Sequence, residues 1–129
     1  MITDQVPRIL IVDDDEDLVT TLELLLKRQN YEVVKAYNGL ECFPLIRETE
    51  PDLIILDITM PYVSGLEVIE SLSEKGGIST PIIFLTASDD FDSKHIAYEH
   101  GAVDYVTKPF STEELLAKIH SLLKMAGVA

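Results

Sequence analysis

The sequence predicts an α/β domain built on a doubly wound, five-stranded parallel sheet. Three observations predict it. Short apolar runs alternate with stretches of helical periodicity along the chain. The runs are continuously apolar, as strands buried on both faces are, and do not show the in-out alternation of a half-solvated sheet. Acids follow directly on two of the runs, at Asp13 and Asp57, and in a parallel sheet those two ends share one edge.

Element by element, Arg8–Val12 reads as a buried strand, and Leu18, Leu22, Leu25 and Leu26 then recur at helical spacing. Tyr31–Ala36 is a second strand rich in β-branched residues. Asn38-Gly39 marks a turn before a short helical stretch to about Glu48. Pro44 falls inside that stretch and removes an amide donor, which predicts a helix that starts late, near Phe43, or is kinked. Asp52–Leu56 is the third strand, and Ser64 to about Glu74 is helical, with Leu66, Val68, Ile69 and Leu72 as its apolar face. Pro81–Leu85 is the fourth strand, Ser93–His100 fits a helix, and Val103–Val106 is the fifth strand. The last helix, Ser111 to about Met125, opens with a capping box in which Ser111 caps and Glu114 reaches back; Leu115, Ile119 and Leu122 form its core stripe. No repeat, linker or low-complexity stretch divides the 129 residues, so one domain over 1–129 is expected, with its core at about 7–125.

Composition narrows the function classes. Asp and Glu number 23 against 10 Lys and Arg, a net charge of −13. Direct nucleic-acid binding by this domain is not expected, because it needs a basic footprint. Most of the acidity reads as a solvated surface that also favours cations and basic partners. The apolar runs are far too short to span a membrane, and the N-terminus carries neither a basic run nor a cleavage pattern. The single cysteine, Cys42, excludes an internal disulfide and reads as a small buried hydrophobe. A soluble, cytoplasmic domain is the expectation.

The strand-end acids carry the chemistry. Asp13, Asp14 and Asp57 can converge, and converging carboxylates repel unless protons or a cation compensate. Oxygen donors without histidine or thiolate suit a hard ion, Mg²⁺ above all. Thr86 and Lys108 end the fourth and fifth strands on the same edge. Such a set suits attack of a carboxylate on phosphorus, with a cation, an ammonium and a hydroxyl sharing the phosphoryl oxygens. Asp15, Glu16 and Asp17 need no such role, since acids favour a first helical turn.

Several segments together resemble the response-regulator receiver domains of two-component signalling, which share the flavodoxin-like fold. They are Ile9–Asp15, Asp52–Pro61, Gly65, Pro81–Ala87 and Gly101–Phe110, in an order and spacing covering about residues 7 to 125. The resemblance implies strand order 2-1-3-4-5 and a set of roles. Asp57 matches the phosphoacceptor, Asp14 the direct metal ligand, Asp13 a metal-site acid acting mostly through water, and the Thr59 carbonyl the backbone ligand. Lys108 matches the lysine paired with the phosphoacceptor, Pro109 a proline following through a cis bond, and Thr86 and Tyr105 the switch pair. Thr59 and Ser88 match variable positions that tune hydrolysis; Pro61 and Gly65 read as turn and packing residues. His95, His100 and His120 read as surface or helix histidines, because receivers take the phosphoryl group from a histidine on another protein.

The implied function is a phosphorylation switch. A histidine kinase or histidine phosphotransfer protein donates to Asp57 with Mg²⁺ as cofactor; the domain changes conformation and dephosphorylates itself, which makes it an enzyme in a limited sense. The implied output is an unspecified domain or target protein, or a homodimer through the face formed by residues 88–125; Ile96, Tyr98 and Tyr105 are candidate recognition positions there, with Ile96 or Tyr98 also readable as core at helical spacing. Two rivals stand beside it. A pseudo-receiver would serve only as an interaction module. An aspartate-based phosphohydrolase would need a substrate cap and a second acid two residues past the nucleophile, where this chain has Thr59.

Overall fold

The computed structural model describes residues 6–58, 60, 63–74, 80–87, 95, 99 and 104–128. Five strands are present: β1 (Arg8–Val12), β2 (Glu32–Ala36), β3 (Leu53–Asp57), β4 (Ile82–Ala87) and β5 (Asp104–Lys108). All neighbours pair in parallel, in the order β2-β1-β3-β4-β5. The order reverses at β1, which pairs with β2 on one side and β3 on the other, so a crevice opens between the carboxyl ends of β1 and β3. This is the predicted flavodoxin-like, doubly wound sheet.

Among the described residues, four whole helices cover the sheet: α1 (Glu16–Arg28), α2 (Gly39–Thr49), α3 (Gly65–Glu74) and α4 (Thr112–Met125). Alternation along the strands divides the core in two. Leu10, Val12, Ile54, Leu56 and Phe84 pack against Cys42 of α2 and against Val68, Ile69 and Leu72 of α3. Ile9, Ile11, Leu53, Ile55, Ile83 and Leu85 face Val19, Leu22 and Leu26 of α1 and Leu115, Ile119 and Leu123 of α4. Residues 9–12, 53–56 and 82–85 of the three inner strands are thus buried whichever way they point, which is why they read as unbroken apolar runs, while the edge strands β2 and β5 are only partly covered. Full burial of each such side chain is worth roughly 1.5–3 kcal/mol.

Helix starts follow local polar chemistry. Asp15 caps α1, its carboxylate accepting the Leu18 N–H at 3.1 Å. Ser111 caps α4 through the Glu114 N–H at 3.0 Å, but the Glu114 side chain makes no bond back, so the expected box is half formed. Of the two expectations for α2, the late start is not what forms. That helix begins at Gly39, not near Phe43, and keeps Pro44 inside it. Asn38, read from sequence as a turn residue, is its N-cap and accepts the Glu41 N–H at 3.1 Å. The carbonyl that loses its partner to Pro44 is that of Leu40, a residue 57% exposed, so water can take the place of the missing donor.

Some boundaries also shift. β5 continues past Val106 to Lys108, and β4 ends at Ala87. Of the expected helix at Ser93–His100, only His95 and Glu99 are described; both are helical and form a 3.0 Å ion pair. Ser88, Ile96, Tyr98 and His100 lie outside the described residues, as do Thr59 and Pro61.

Candidate functional site

β1 delivers Asp13 and Asp14 to the reversal crevice, and β3 delivers Asp57 as its last residue. One carboxylate oxygen from each lies within 4.8 Å of the others. Asp13 is fully buried, Asp57 is 5% exposed, and Asp14 is open to solvent. Lys108, the last residue of β5, reaches across β4 and places Nζ 3.0 Å from Asp13 Oδ2 and 3.5 Å from Asp57 Oδ1. Burial disfavours the charged Lys108. The hydrogen bond to Asp13 and the charges of Asp57 and Asp13 outweigh that effect and hold its pKa above the ordinary lysine value. Lys108 is therefore an ammonium at neutral pH. Three carboxylates face this one ammonium, a surplus of two negative charges that a divalent cation matches.

The backbone holds the pieces in place. The Asp13 N–H donates to the Ala36 carbonyl at 3.1 Å, extending the β1–β2 ladder into the site. The second Asp13 carboxylate oxygen accepts the Asp15 N–H at 3.0 Å, so both its oxygens are engaged before any cation arrives. The segment after β3 turns back closely over Asp57. The Gly65 N–H donates to the Ile58 carbonyl at 2.8 Å, and a Cβ on Gly65 would sit 2.2 Å from the Asp57 carbonyl oxygen. Only glycine fits there, which gives this sequence-flagged residue its reason.

The sheet register sorts the remaining candidates. Asp57 pairs with Leu85, Phe84 with Tyr105, and Thr86 with Thr107. By alternation Thr86, Phe84 and Tyr105 share one face of the sheet, while Asp57 and Lys108 lie on the other. Thr86 is 2% exposed at the site's edge. Tyr105 is half-buried against the core, its ring 6.0 Å from that of Phe84. The Lys108–Pro109 bond is cis. His120 and His95 are exposed and stand apart from the buried carboxylates.

The donor set fits a hard divalent cation. It is all oxygen, and the exposed Asp14 leaves one side open for the waters that Mg²⁺ retains. Sequence reasoning missed two features. One is the second partner of Lys108: beside the expected pairing with Asp57 at 3.5 Å, it makes a shorter contact with Asp13 at 3.0 Å. The other is the Glu41 carboxylate, which accepts the Tyr37 N–H at 2.9 Å and the Asn38 side-chain amide at 3.1 Å. The Asn38-x-x-Glu41 spacing is a helix-start signature that was available in the sequence.

Comparison with known proteins gives consistent matches. The response regulator receiver domain model matches residues 9–120. A response-regulator signal receiver domain from Bermanella marisrubri is 36% identical, with 92% of this chain and 99% of that one covered at a TM-score of 0.82. The receiver domain of the Francisella response regulator 1452 is 32% identical, covering 93% and 98% at a TM-score of 0.86. A signal receiver domain of a signal transduction histidine kinase from Syntrophus aciditrophicus is 32% identical, covering 92% and 91% at a TM-score of 0.82.

Proposed function

This chain belongs to the response-regulator receiver domains, and from that premise we propose that Asp57 is its phosphoacceptor and that Asp13, Asp14, Asp57 and the Thr59 carbonyl hold its Mg²⁺. As a receiver, it takes up a phosphoryl group in a metal-dependent transfer and releases it by its own activity. The observation that supports the residue assignment is the convergence of three carboxylates and one ammonium at the reversal of the sheet.

The chemistry follows from these positions. An Asp57 carboxylate oxygen attacks phosphorus, an O–P bond forms, and the P–N bond of a phosphohistidine donor breaks as its imidazole leaves with a proton. Lys108 is already charged and can turn from Asp13 toward a phosphoryl oxygen. The bound cation would neutralise the phosphoryl oxygens that face Asp13 and Asp14. The Thr86 hydroxyl, at the end of the neighbouring strand, donates to a third oxygen, and its movement is relayed to Tyr105 on the same face of the sheet. Water later cleaves the acyl phosphate.

The donor in this reading is a histidine kinase or histidine phosphotransfer protein in the cytoplasm. The changed surface includes β5 and α4, the described part of the 88–125 face, where an output domain, a target protein or a second copy would bind. The whole of 1–129 is read as one receiver domain. No helix among the described residues is long and apolar enough to cross a membrane.

Incubation with Mg²⁺ and acetyl phosphate tests the nucleophile. Intact mass should rise by one phosphoryl group, acid-stable and base-labile, located on Asp57. Asp57→Asn should abolish the adduct. Labelling on a histidine, or undiminished labelling of the variant, would overturn the assignment.

A further inference from the structure

We propose that Glu41 is a positioning residue for the acids of β1, acting through a single peptide unit; the inference rests on the phosphoacceptor reading above. The peptide joining Ala36 to Tyr37 is rigid and planar, so orienting its N–H also orients its carbonyl. Its N–H donates to Glu41 Oε1 at 2.9 Å. Its carbonyl accepts the Asp13 N–H at 3.1 Å. Glu41, one peptide plane and Asp13 therefore form a continuous hydrogen-bonded chain, in which each acceptor fixes the orientation of the next donor. Beyond it the Asp13 side chain holds Lys108 at 3.0 Å.

The far end of this chain is anchored. Asn38 donates to the same Glu41 oxygen at 3.1 Å and in return accepts the Glu41 N–H at 3.1 Å. The first residue of α2, Gly39, is pressed against the segment after β3, where a Cβ would stand 2.5 Å from the Val63 carbonyl oxygen. Glu41 is held from both sides, so it can transmit position and is not a mobile surface acid. In a capping box the acid reaches back to the amide of the N-cap residue, here Asn38. The Glu41 carboxylate instead takes the amide one residue earlier, that of Tyr37, and this is the peptide whose carbonyl accepts from Asp13.

The test compares wild type, Glu41→Gln and Glu41→Met. Both variants lose the charge and keep the side-chain length, but only Gln keeps an oxygen to accept the Tyr37 N–H. Mg²⁺ affinity is read by amide NMR titration. Partners bound directly to metal ligands command roughly 10–100-fold in affinity, so a residue one step further out should cost about 3- to 10-fold in Glu41→Met, and Glu41→Gln should stay within about 2-fold of wild type. The Asp13 amide should exchange with solvent faster in the Met variant only. Acetyl-phosphate labelling of Glu41→Met should slow at low Mg²⁺ and recover at saturating Mg²⁺. If Glu41→Met does not fold, Glu41→Ala takes its place. Equal Mg²⁺ affinity in Glu41→Met and wild type overturns the proposal, and so does an equal loss in Met and Gln, which would assign the effect to charge. Failure of wild type itself to bind Mg²⁺ would instead overturn the metal-site reading on which it rests.

Discussion

At the amino ends of the strands, charge is spent on closure. The Arg8 amide donates to Asp52 at 2.7 Å, and its guanidinium reaches Glu32 at 3.2 Å and the Thr49 carbonyl at the end of α2. Asp52 and Glu32 each meet a donor from another part of the chain. At the carboxyl ends the same residue types are arranged differently: Asp13, Asp14 and Asp57 crowd together, with the Lys108 ammonium beside Asp13 and Asp57. Among the described residues one edge pairs its acids with donors of the chain, and the other gathers acids in the arrangement that a cation would complete. The difference separates acids that hold the fold from acids that wait for a cation, even though sequence shows both kinds simply as acids flanking strands.

If that contrast is right, the largest effect belongs to Asp14→Ala. It removes an exposed carboxylate for which the structure shows no internal hydrogen bond. As the proposed direct ligand it should matter more than an outer partner, so Mg²⁺ affinity should fall by at least about 100-fold. Apo stability should hold or rise slightly, by less than about 1 kcal/mol, because like charges are relieved. A Mg²⁺ titration and a urea melt read both quantities. A variant with wild-type affinity, or a markedly destabilised one, would erase the distinction between the edges. Next in size is Arg8→Ala at the opposite edge. It should cost about 1–2 kcal/mol, from a lost bond to a carbonyl and a half-exposed ion pair, and leave Mg²⁺ affinity unchanged. A shifted urea midpoint with an unaltered Mg²⁺ titration is the expected signature.

The smallest effect sharpens the same contrast on α1, away from both edges. Hydrogen bonds from Lys27 and Lys35, at 3.0 and 3.2 Å, hold the Glu23 carboxyl below its usual pKa. A carboxyl depressed on folding adds stability that is present above its unfolded pKa and is lost as pH falls through the folded one. Glu23→Gln should therefore lose less stability than wild type between about pH 5 and pH 3. Urea midpoints for the two proteins across that range would show it, and parallel curves would leave the Glu23 pairs without energetic content.

Much of this organisation was legible in the sequence. Strands buried on both faces announce themselves as unbroken apolar runs, and acids directly after Val12 and Leu56 can only sit on the carboxyl edge of a parallel sheet. What was not legible depends on neighbours distant in sequence. Pro44 argued for a late start to α2, but the carbonyl it orphans, that of Leu40, faces solvent, so the helix starts at Gly39 regardless. Val19 is fully buried on α1, yet the leucine spacing drew attention to Leu18 and Leu25, which are only partly covered. Lys108 was legible as a site residue, but its choice of Asp13 over Asp57 depends on where β5 docks along β4. The Asn38-x-x-Glu41 spacing could have announced Glu41 as a helix-start acid, but not that it takes the Tyr37 amide, whose peptide also carries the Asp13 bond.

Lys108 and Asp13 are 95 residues apart in the chain, with Asp57 between them. Their contact is among the most non-local in the molecule, and such contacts form only after long loops have closed. During synthesis the acids of β1 and β3 exist long before the ammonium that partly balances them. Until β5 docks beside β4, the buried Asp13 has no cation of its own chain. A nascent, clipped or partly unfolded chain therefore has the acidic residues of a receiver without the assembled site.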